Sequence, residues 1–171
     1  MCYTAAVQTS FLDRRSQKGS NLQEPFYTSG FLYSPKTHQI LLIQSAQPDN
    51  TRSLWSTIGG ESSGEEEAHI AFQRIISKLL NLNLKAKDIY AVYDYFHDKL
   101  AKMNYVFYAE VKNSRAVSTP GKDNFSWVAF GEISKLLFTD HTKQDIIVGE
   151  RVINLKWRED TNVVPWLSPA K

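Results

Sequence analysis

Residues 59–80, GGESSGEEEAHIAFQRIISKLL, constrain the fold of this chain more than any other stretch. Ser62 and Ser63 each precede a glutamate by three residues, which is the spacing of a capping box and predicts a helix beginning near Gly64. Apolar residues then recur at helical spacing and cover about half of the circumference. They are Ala68, Ala71, Phe72, Ile75, Ile76, Leu79 and Leu80. A helix with so broad an apolar face must pack against a second layer of structure.

Segments rich in aromatic and β-branched residues flank this helix and predict β-strands. Residues 26–33 and 39–45 form two of them, separated by SPKTH, a turn of hairpin length. A short strand at residues 54–58 ends in Gly59–Gly60. Further strands are predicted at residues 89–97, 103–111 and 125–130, and a helical turn at residues 132–137. Strands on both sides of a helix predict an α/β fold with a mixed sheet.

The end of the chain predicts a second amphipathic helix at residues 142–157, with Ile146, Ile147, Val152, Ile153 and Leu155 facing inward. We expect residues 1–24 to form an N-terminal segment and loop, and residues 25–158 to form one domain. Residues 159–171 contain two prolines and predict a C-terminal strap.

Composition limits the compartment and the partners. The chain has 171 residues, 20 Lys and Arg against 18 Asp and Glu, and a net charge of +2. This charge provides no bulk field to attract nucleic acid or an acidic membrane. Cys2 is the only cysteine, which excludes an intramolecular disulfide. No stretch approaches the ~20 apolar residues of a membrane span. We therefore expect a cytoplasmic protein with no membrane partner.

The order of these features resembles the Nudix superfamily. Trp55, Gly59–Gly60, an acidic turn, a helix, aromatic strands and a later strand with Trp127 follow one another in that order. The resemblance covers about residues 26–155 and implies a Nudix-type α/β/α sandwich with a mixed central sheet.

The Nudix box itself is matched at five positions without a gap. The box runs Gly, five residues, Glu, seven residues, Arg-Glu, an aliphatic residue, any residue, Glu-Glu, any residue, Gly and an aliphatic residue. The matching residues are Gly60, Glu66, Arg74, Ile76 and Leu82.

The departures from the box fall on its chemistry. Ile75 replaces the Glu after the Arg, Lys78 and Leu79 replace the Glu-Glu pair, and Asn81 replaces the late Gly. The resemblance implies Mg²⁺ or Mn²⁺ as cofactors of an active member, and Mg²⁺ needs oxygen ligands that hydrocarbon side chains lack. We therefore expect metal-dependent pyrophosphate hydrolysis to be lost or weakened.

The remaining glutamates allow two interpretations. In one, Glu65, Glu66 and Glu67 only complement the positive end of the helix dipole, each contributing about 0.3–1 kcal/mol. In the other, Glu61 and Glu66 are remnants of a metal site, and Glu65 and Glu66 are catalytic if the chain is active.

The substituted positions also allow two interpretations. Ile75 and Leu79 are predicted to pack in the core. Lys78 either lies on a solvated helix edge, with Glu67 and Arg74 as mutual neighbours, or binds a phosphate directly together with Arg74.

Other predicted ligand contacts lie outside the helix. The backbone of Gly59 and Gly60, the side chain of Arg52 and the rings of Trp55 and Tyr105 are candidates. Tyr27, Tyr95 and Phe107 are further candidates, because stacking on a base is worth roughly 1–3 kcal/mol. Core packing is the alternative for each ring.

Three functions remain open from the sequence. The first is a divergent Nudix protein that binds a nucleotide or a nucleoside diphosphate derivative. The second is an active hydrolase that uses Glu61, Glu65 or Glu66 together with a carboxylate from another element, for which Glu110, Glu132 and Asp140 are candidates. The third is a non-catalytic module for RNA or protein, against which the near-neutral charge argues. The family often dimerises, so the resemblance implies that a homodimer is one expected assembly.

Overall fold

The computed structural model describes residues 24–45, 54–113, 117, 124–139 and 141–161. Within these ranges the strands are β1 Tyr27–Ser34, β2 Gln39–Ser45, β3 Leu54–Ser56, β4 Ile58–Glu61, β5 Ile89–His97, β6 Lys102–Glu110 and β7 Asn124–Ala129. The helices are α1 Ala68–Leu80 and α2 Thr142–Thr161, and short 3-10 helices span Ala86–Asp88 and Phe130–Lys135.

The strands form one mixed sheet in the order β3-β2-β1-β6-β5. β1 is parallel to β6 and antiparallel to both β2 and β4. β7 pairs with β2. The predicted α/β fold with a mixed sheet is confirmed, and β1 is its central strand.

Each face of the sheet carries one helix, because side chains of β1 alternate between the faces. Leu32 packs with Phe72, Ile76 and Leu80 of α1. On the other face, Phe31 packs in a cluster that includes residues of α2. The predicted sandwich of a sheet between helices is therefore observed.

Close contact between α2 and the sheet depends on Gly149. A Cβ atom at this position would lie 2.5 Å from Phe31 Cζ, so a larger residue would push the helix away from β1. The inward face of α2 also carries Ile146 and Ile153, both buried as predicted. Ile147 and Leu155 are 38% and 57% exposed, so the prediction that they face inward is wrong.

Several predicted boundaries differ from the structure. α1 begins at Ala68, four residues after Gly64, because Gly64 has a φ of +66° and the preceding residues form a loop. Gly59–Gly60 lies inside a separate strand, β4, rather than after β3. α2 continues to Thr161, so residues 159–161 are helical. Residues 1–23 and 162–171 lie outside the described part of the chain. Neither described helix has the length and apolar character needed to cross a bilayer.

Candidate functional site

The loop between β4 and α1, which we call the box loop, is closed by an ion pair between Glu66 and Arg74. Arg74 Nη2 donates to Glu66 Oε1 at 2.6 Å, and Arg74 Nε donates to Glu66 Oε2 at 3.1 Å. Arg74 Nη2 also donates to the carbonyl oxygen of Glu61 at 2.9 Å. The backbone N–H of Ser63 adds a bond of 2.5 Å to Glu66 Oε1, which keeps part of the predicted capping box although the helix starts later. This arginine therefore fixes the course of the acidic loop.

The electrostatics of the pair follow from these bonds. The hydrogen bond from Arg74 lowers the pKa of the Glu66 carboxyl below its usual value, and the bond from Ser63 lowers it further. Glu67 lies near His69, with its Oε2 3.3 Å from the imidazole Nδ1. The prediction that Glu67 and Arg74 are mutual neighbours is wrong, since Arg74 pairs with Glu66.

Two of the substituted positions of α1, Ile75 and Leu79, carry packed hydrocarbon side chains. A Cβ atom at Gly60 would lie 3.0 Å from Ile75 Cδ1, so the isoleucine covers the glycine. Ile75 and Leu79 both pack against the hydrophobic cluster on the α1 face of the sheet. The core-packing interpretation of these two residues is confirmed.

The carboxylates near α1 do not fit a divalent-ion site. Both oxygens of Glu66 are bonded to Arg74, and Glu61 Oε1 lies 2.6 Å from Lys102 Nζ. Glu65 is exposed. Among the described residues, no group of three or more His, Cys, Asp and Glu side chains is placed to hold a metal ion. Mg²⁺ requires several oxygen ligands, and the side chains of Ile75 and Leu79 on this helix supply none.

Other predicted residues are placed as follows. Lys78 is exposed on α1 and has no ion pair within the described ranges. Trp55 packs beside the α2 face, and its backbone bonds to Leu137 and Thr139. Arg52 and Asp140 lie outside the described residues.

The two other proposed substitute carboxylates serve local structure. Glu110 lies 3.2 Å from Lys156 Nζ, at the opposite end of β6 from the box loop. Glu132 accepts a hydrogen bond from the backbone N–H of Ala129 at 3.2 Å. These contacts place neither glutamate next to α1.

A cavity of about 150 Å³ lies on the other face of the sheet, beside the first turn of α2. We call it the α2 cavity. Its walls come from four strands, three connecting segments and α2 itself. They consist of Tyr27, Ser29, Ser56, Thr57, Tyr95, His97, Leu100, Asn104, Thr139, Thr142 and Asp145. Most of these residues are polar, which is unusual for the interior of a sandwich.

Asp145 is the most buried charged residue of the α2 cavity, with 2% of its surface exposed. The Tyr93 hydroxyl donates to Asp145 Oδ1 at 2.5 Å. Burial raises the pKa of the Asp145 carboxyl, while the bond from Tyr93 and the neighbouring His141 and His97 lower it. A buried carboxyl that is bonded to one phenol can still accept further hydrogen bonds.

Asn104 reaches the same cavity from β6 and is also 2% exposed. Its Nδ2 donates to Ser29 Oγ at 3.0 Å. Its Oδ1, like Nδ1 of His97, is buried and has no hydrogen-bond partner within the described part of the chain. Because buried polar atoms are nearly always paired, an acceptor of this kind in a cavity wall indicates a place for a ligand donor or a bound water.

Aromatic rings form a continuous wall beside these groups. Tyr93 and Tyr95 stack at 5.4 Å between ring centroids, and Tyr95 stacks on His97 at 6.0 Å. His141, just before α2, lies 5.1 Å from both Tyr95 and His97. Alternation along β5 places Tyr93, Tyr95 and His97 on one face.

Tyr27 connects the α2 cavity with the box loop. Its ring lines the cavity, and a Cβ atom at Gly59 would lie 2.8 Å from this ring. Burial raises the pKa of Tyr27, and the nearby Glu61 raises it further. Lys102, the strand partner of His97, pairs with Glu61. Gly59, Glu61 and Lys102 therefore adjoin residues of the cavity wall, and we call this edge the mouth of the cavity.

Tyr105 and Phe107 lie on the α1 face, away from the α2 cavity. Tyr105 contacts Phe26 edge-on with ring centroids 5.3 Å apart. Phe107 stacks on Phe72 of α1 at 5.6 Å. Their core packing is observed, and a ligand contact by Tyr105 stays a prediction.

Sequence reasoning placed Tyr27 and Tyr95 among the ligand contacts but missed the polar walls of the cavity. Ser29 and Asn104 interrupt buried strands, and Asp145 interrupts the inward face of α2 next to Ile146. The signal in the sequence was a polar residue at a position that the period of the strand or helix assigns to the buried face. Such a residue needs a hydrogen-bond partner.

Comparisons place this fold among known structures. Neither protein-family models nor curated proteins match the amino-acid sequence. MutT from Aliivibrio salmonicida and Vibrio cholerae matches at 14% identity and a TM-score of 0.56, covering 76% of this chain and 98% of the other. The NUDIX domain of Shewanella oneidensis NrtR, complexed with ADP ribose, matches at 11% identity and 0.59, covering 75% and 87%. A mutT/nudix family protein from Listeria innocua matches at 17% identity and 0.57, covering 78% and 96%.

Proposed function

We propose that this chain, which has the Nudix fold, binds a nucleotide or a nucleoside diphosphate derivative through the α2 cavity. The observation that carries the proposal is the buried Oδ1 of Asn104, which lines the cavity and has no hydrogen-bond partner among the described residues. The ADP ribose in the NrtR domain is a ligand of this chemical class in the same fold.

The size of the α2 cavity favours one end of an elongated ligand. Pockets that enclose a whole small molecule usually measure about 300–1,000 Å³. A cavity of about 150 Å³ accepts the base, and the sugar and phosphates extend toward the mouth. Tyr95 and His97 supply ring faces beside the base.

The mouth of the cavity supplies groups for the phosphates. Lys102 and Arg74 are cations beside the box loop, each paired with a glutamate. A phosphate competes with a carboxylate for such cations through charge-assisted hydrogen bonds. Gly59 and Gly60 belong to strand β4 next to this loop, and contact of their backbone with a phosphate stays a prediction. We assign the phosphate contact to Lys102 rather than to Lys78, because Lys102 is the strand partner of His97, which lines the cavity.

We further propose that metal-dependent hydrolysis is lost or greatly weakened, in a protein that works in the cytoplasm. Ile75 and Leu79 occupy the positions where the box has glutamates, and both are packed into the core. Glu66, the box glutamate that remains, is bonded to Arg74 through both oxygens.

Titration calorimetry in EDTA tests the binding proposal with a panel of ADP-ribose, ADP, GDP and NADH. We expect measurable affinity without metal for at least one of them, and a loss of about tenfold or more in Asn104→Leu. Ser77→Ala, an exposed change on α1, is the control. No binding of any nucleotide by the folded protein would end the proposal.

Product analysis tests the hydrolysis proposal with the same panel, capped RNA and either Mg²⁺ or Mn²⁺. We expect no turnover above a protein-free control. Brisk metal-dependent turnover that Glu66→Gln abolishes would establish the active hydrolase in its place.

A further inference from the structure

A second cavity, of about 230 Å³, lies where β1 and β6 end, between the β1–β2 turn and the last turns of α2. We call it the Trp157 cavity. Its polar and aromatic walls consist of Tyr33, His38, Glu110, Lys156, Trp157 and Asp160. None of these residues lines the α2 cavity. We propose that the Trp157 cavity is a separate binding site for an organic cation with a flat head, namely a guanidinium group.

The charges on the wall of the Trp157 cavity favour a cation. Glu110 and Asp160 are two carboxylates, and Lys156 compensates only one of them. Helix α2 ends beside the cavity at Thr161, and the carbonyl end of a helix carries a partial negative charge. A cation that enters the cavity is therefore attracted by its walls.

Lys156 shows how these walls hold a cation. Its Nζ lies 2.9 Å from Asp160 Oδ2, 3.2 Å from Glu110 Oε1 and 4.8 Å from the centroid of the Tyr90 ring. Hydrogen bonding to Asp160 and to Glu110 raises the pKa of Lys156 in spite of its partial burial, so the lysine stays charged. Each carboxylate uses one oxygen in these contacts, and its other oxygen can accept hydrogen bonds from a ligand.

The rings on the wall favour a guanidinium over an ammonium. Trp157 lines the cavity and is 56% exposed, and the Tyr33 hydroxyl lies 3.0 Å from His38 Nδ1 on the other side. The faces of Trp and Tyr attract cations. A guanidinium is planar, so it can stack on such a ring while the N–H groups in its plane bond to carboxylate oxygens. The compact ammonium position between the carboxylates is already taken by Lys156.

A buried hydroxyl next to the wall lacks a partner. Tyr108 is fully buried, and its hydroxyl has no hydrogen-bond partner among the described residues. Its ring stacks on Tyr90 at 4.9 Å between centroids and meets Tyr33 edge-on at 6.4 Å. Burial raises the pKa of Tyr108, the charge of Glu110 raises it further and that of Lys156 lowers it. The groups that act on this hydroxyl are thus cavity residues, and an unpaired polar atom at such a place indicates a bound N–H donor or water.

NMR titration of the ¹⁵N-labelled protein with N-acetyl-arginine amide tests the inference. N-acetyl-citrulline amide, which has nearly the same shape and no charge, is the matched control ligand. We expect the arginine derivative to bind with a dissociation constant on the order of 1 mM and to shift the indole N–H resonance of Trp157. The citrulline derivative should bind at least about fivefold more weakly. Equal affinities, or no shift at Trp157, would overturn the proposal.

Variants locate the site, with binding followed on backbone resonances. Asp160→Asn and Trp157→Leu should each weaken the binding of N-acetyl-arginine amide about threefold or more. Glu159→Gln removes the same charge from the adjacent exposed residue, which is not part of the cavity wall, and should change the affinity by less than about 1.5-fold. Lys156→Met should tighten binding, because both carboxylates become available to the ligand. Equal losses in Asp160→Asn and Glu159→Gln would overturn the assigned site.

Two further ligands identify the source of the guanidinium group. Agmatine is a free small molecule, and the capped peptide Gly-Arg-Gly presents an arginine side chain on a backbone. Tighter binding of agmatine would support the site and assign it to a small molecule. Tighter binding of the peptide would support the site and assign it to an arginine of a partner protein. Binding of neither would overturn the proposal, and none of these results bears on the nucleotide site in the α2 cavity.

Discussion

Helix α1 and the α2 cavity lie on opposite faces of one sheet. Their polar groups differ in whether they are paired with other groups of the protein. Along α1, Glu66 is bonded by Arg74 and Ser63, and Ile75 covers Gly60. In the cavity, Asn104 keeps a buried oxygen without a partner in the described chain. The first region is closed by its own contacts, whereas the second keeps a buried acceptor that a bound ligand could satisfy, as we propose.

This difference teaches where to look for function when a chain matches a motif at only some of its positions. A motif marks the residues that chemistry once required in a family, but a binding site is marked by polar atoms that the fold buries and leaves unpaired. Here Glu66 and Arg74, two of the positions that match the box, stabilise a loop, and the unpaired groups of the cavity come from segments outside the box.

The largest expected effect comes from returning a carboxylate to α1 by Ile75→Glu. Ile75 packs against the core, so a charge there costs about 1–3 kcal/mol of unfolding free energy. Urea denaturation measures the loss. Because the neighbouring carboxylate is already paired with Arg74, added Mg²⁺ should not restore the stability. A strong rise of the melting temperature with Mg²⁺ would break the contrast between the two faces.

A smaller effect is expected from Arg74→Met, which removes the partner of Glu66. The pair is partly exposed, so we expect a loss of about 1 kcal/mol at neutral pH. The bond from Arg74 lowers the pKa of Glu66, so this stabilisation is present above the ordinary glutamate pKa and is lost as the pH falls through the folded-state value. Denaturation curves from pH 7 down to about pH 3 should show the two proteins converging. A difference independent of pH would show that packing of the arginine stem, rather than the ion pair, is responsible.

The cavity carboxylate should show the opposite dependence on pH. Burial raises the pKa of Asp145, so its contribution is fully present below the ordinary aspartate value of about 3.9 and is lost as the pH rises through the folded-state value. Asp145→Asn does not ionise and should gain stability relative to the unmodified protein as the pH rises. Since Tyr93, His97 and His141 offset part of the burial, we expect a smaller change than for Arg74→Met. The same denaturation series measures it, and a trend of the opposite sign would contradict the assigned burial effect.

The smallest effect is expected for Lys78→Ala. This lysine is exposed and has no ion pair in the described ranges, so we expect a change in stability within about 0.5 kcal/mol. Its nucleotide affinity in EDTA should stay within about twofold of the unmodified value. A tenfold loss of affinity would instead support direct phosphate binding by Lys78 and move the phosphates toward α1.

Much of the fold was predictable because local patterns are strong there. The apolar arc of α1 predicted its buried face, and the period of two in β5 placed Tyr93 and Tyr95 together. The start of α1 was misplaced because Glu66 bonds to Ser63 within a loop, which imitates a capping box. Ile147 and Leu155 were misassigned because an apolar residue on a helix does not reveal which flank meets the sheet.

By itself the sequence determined the Nudix-type order of elements and the identity of Ile75, Lys78 and Leu79 on α1, and residue identity decides whether a side chain can ligate a metal ion. Only the tertiary structure decided that Asn104 of β6 and Asp145 of α2 share one cavity, since 40 residues of chain separate the two and their meeting depends on how α2 docks on the sheet.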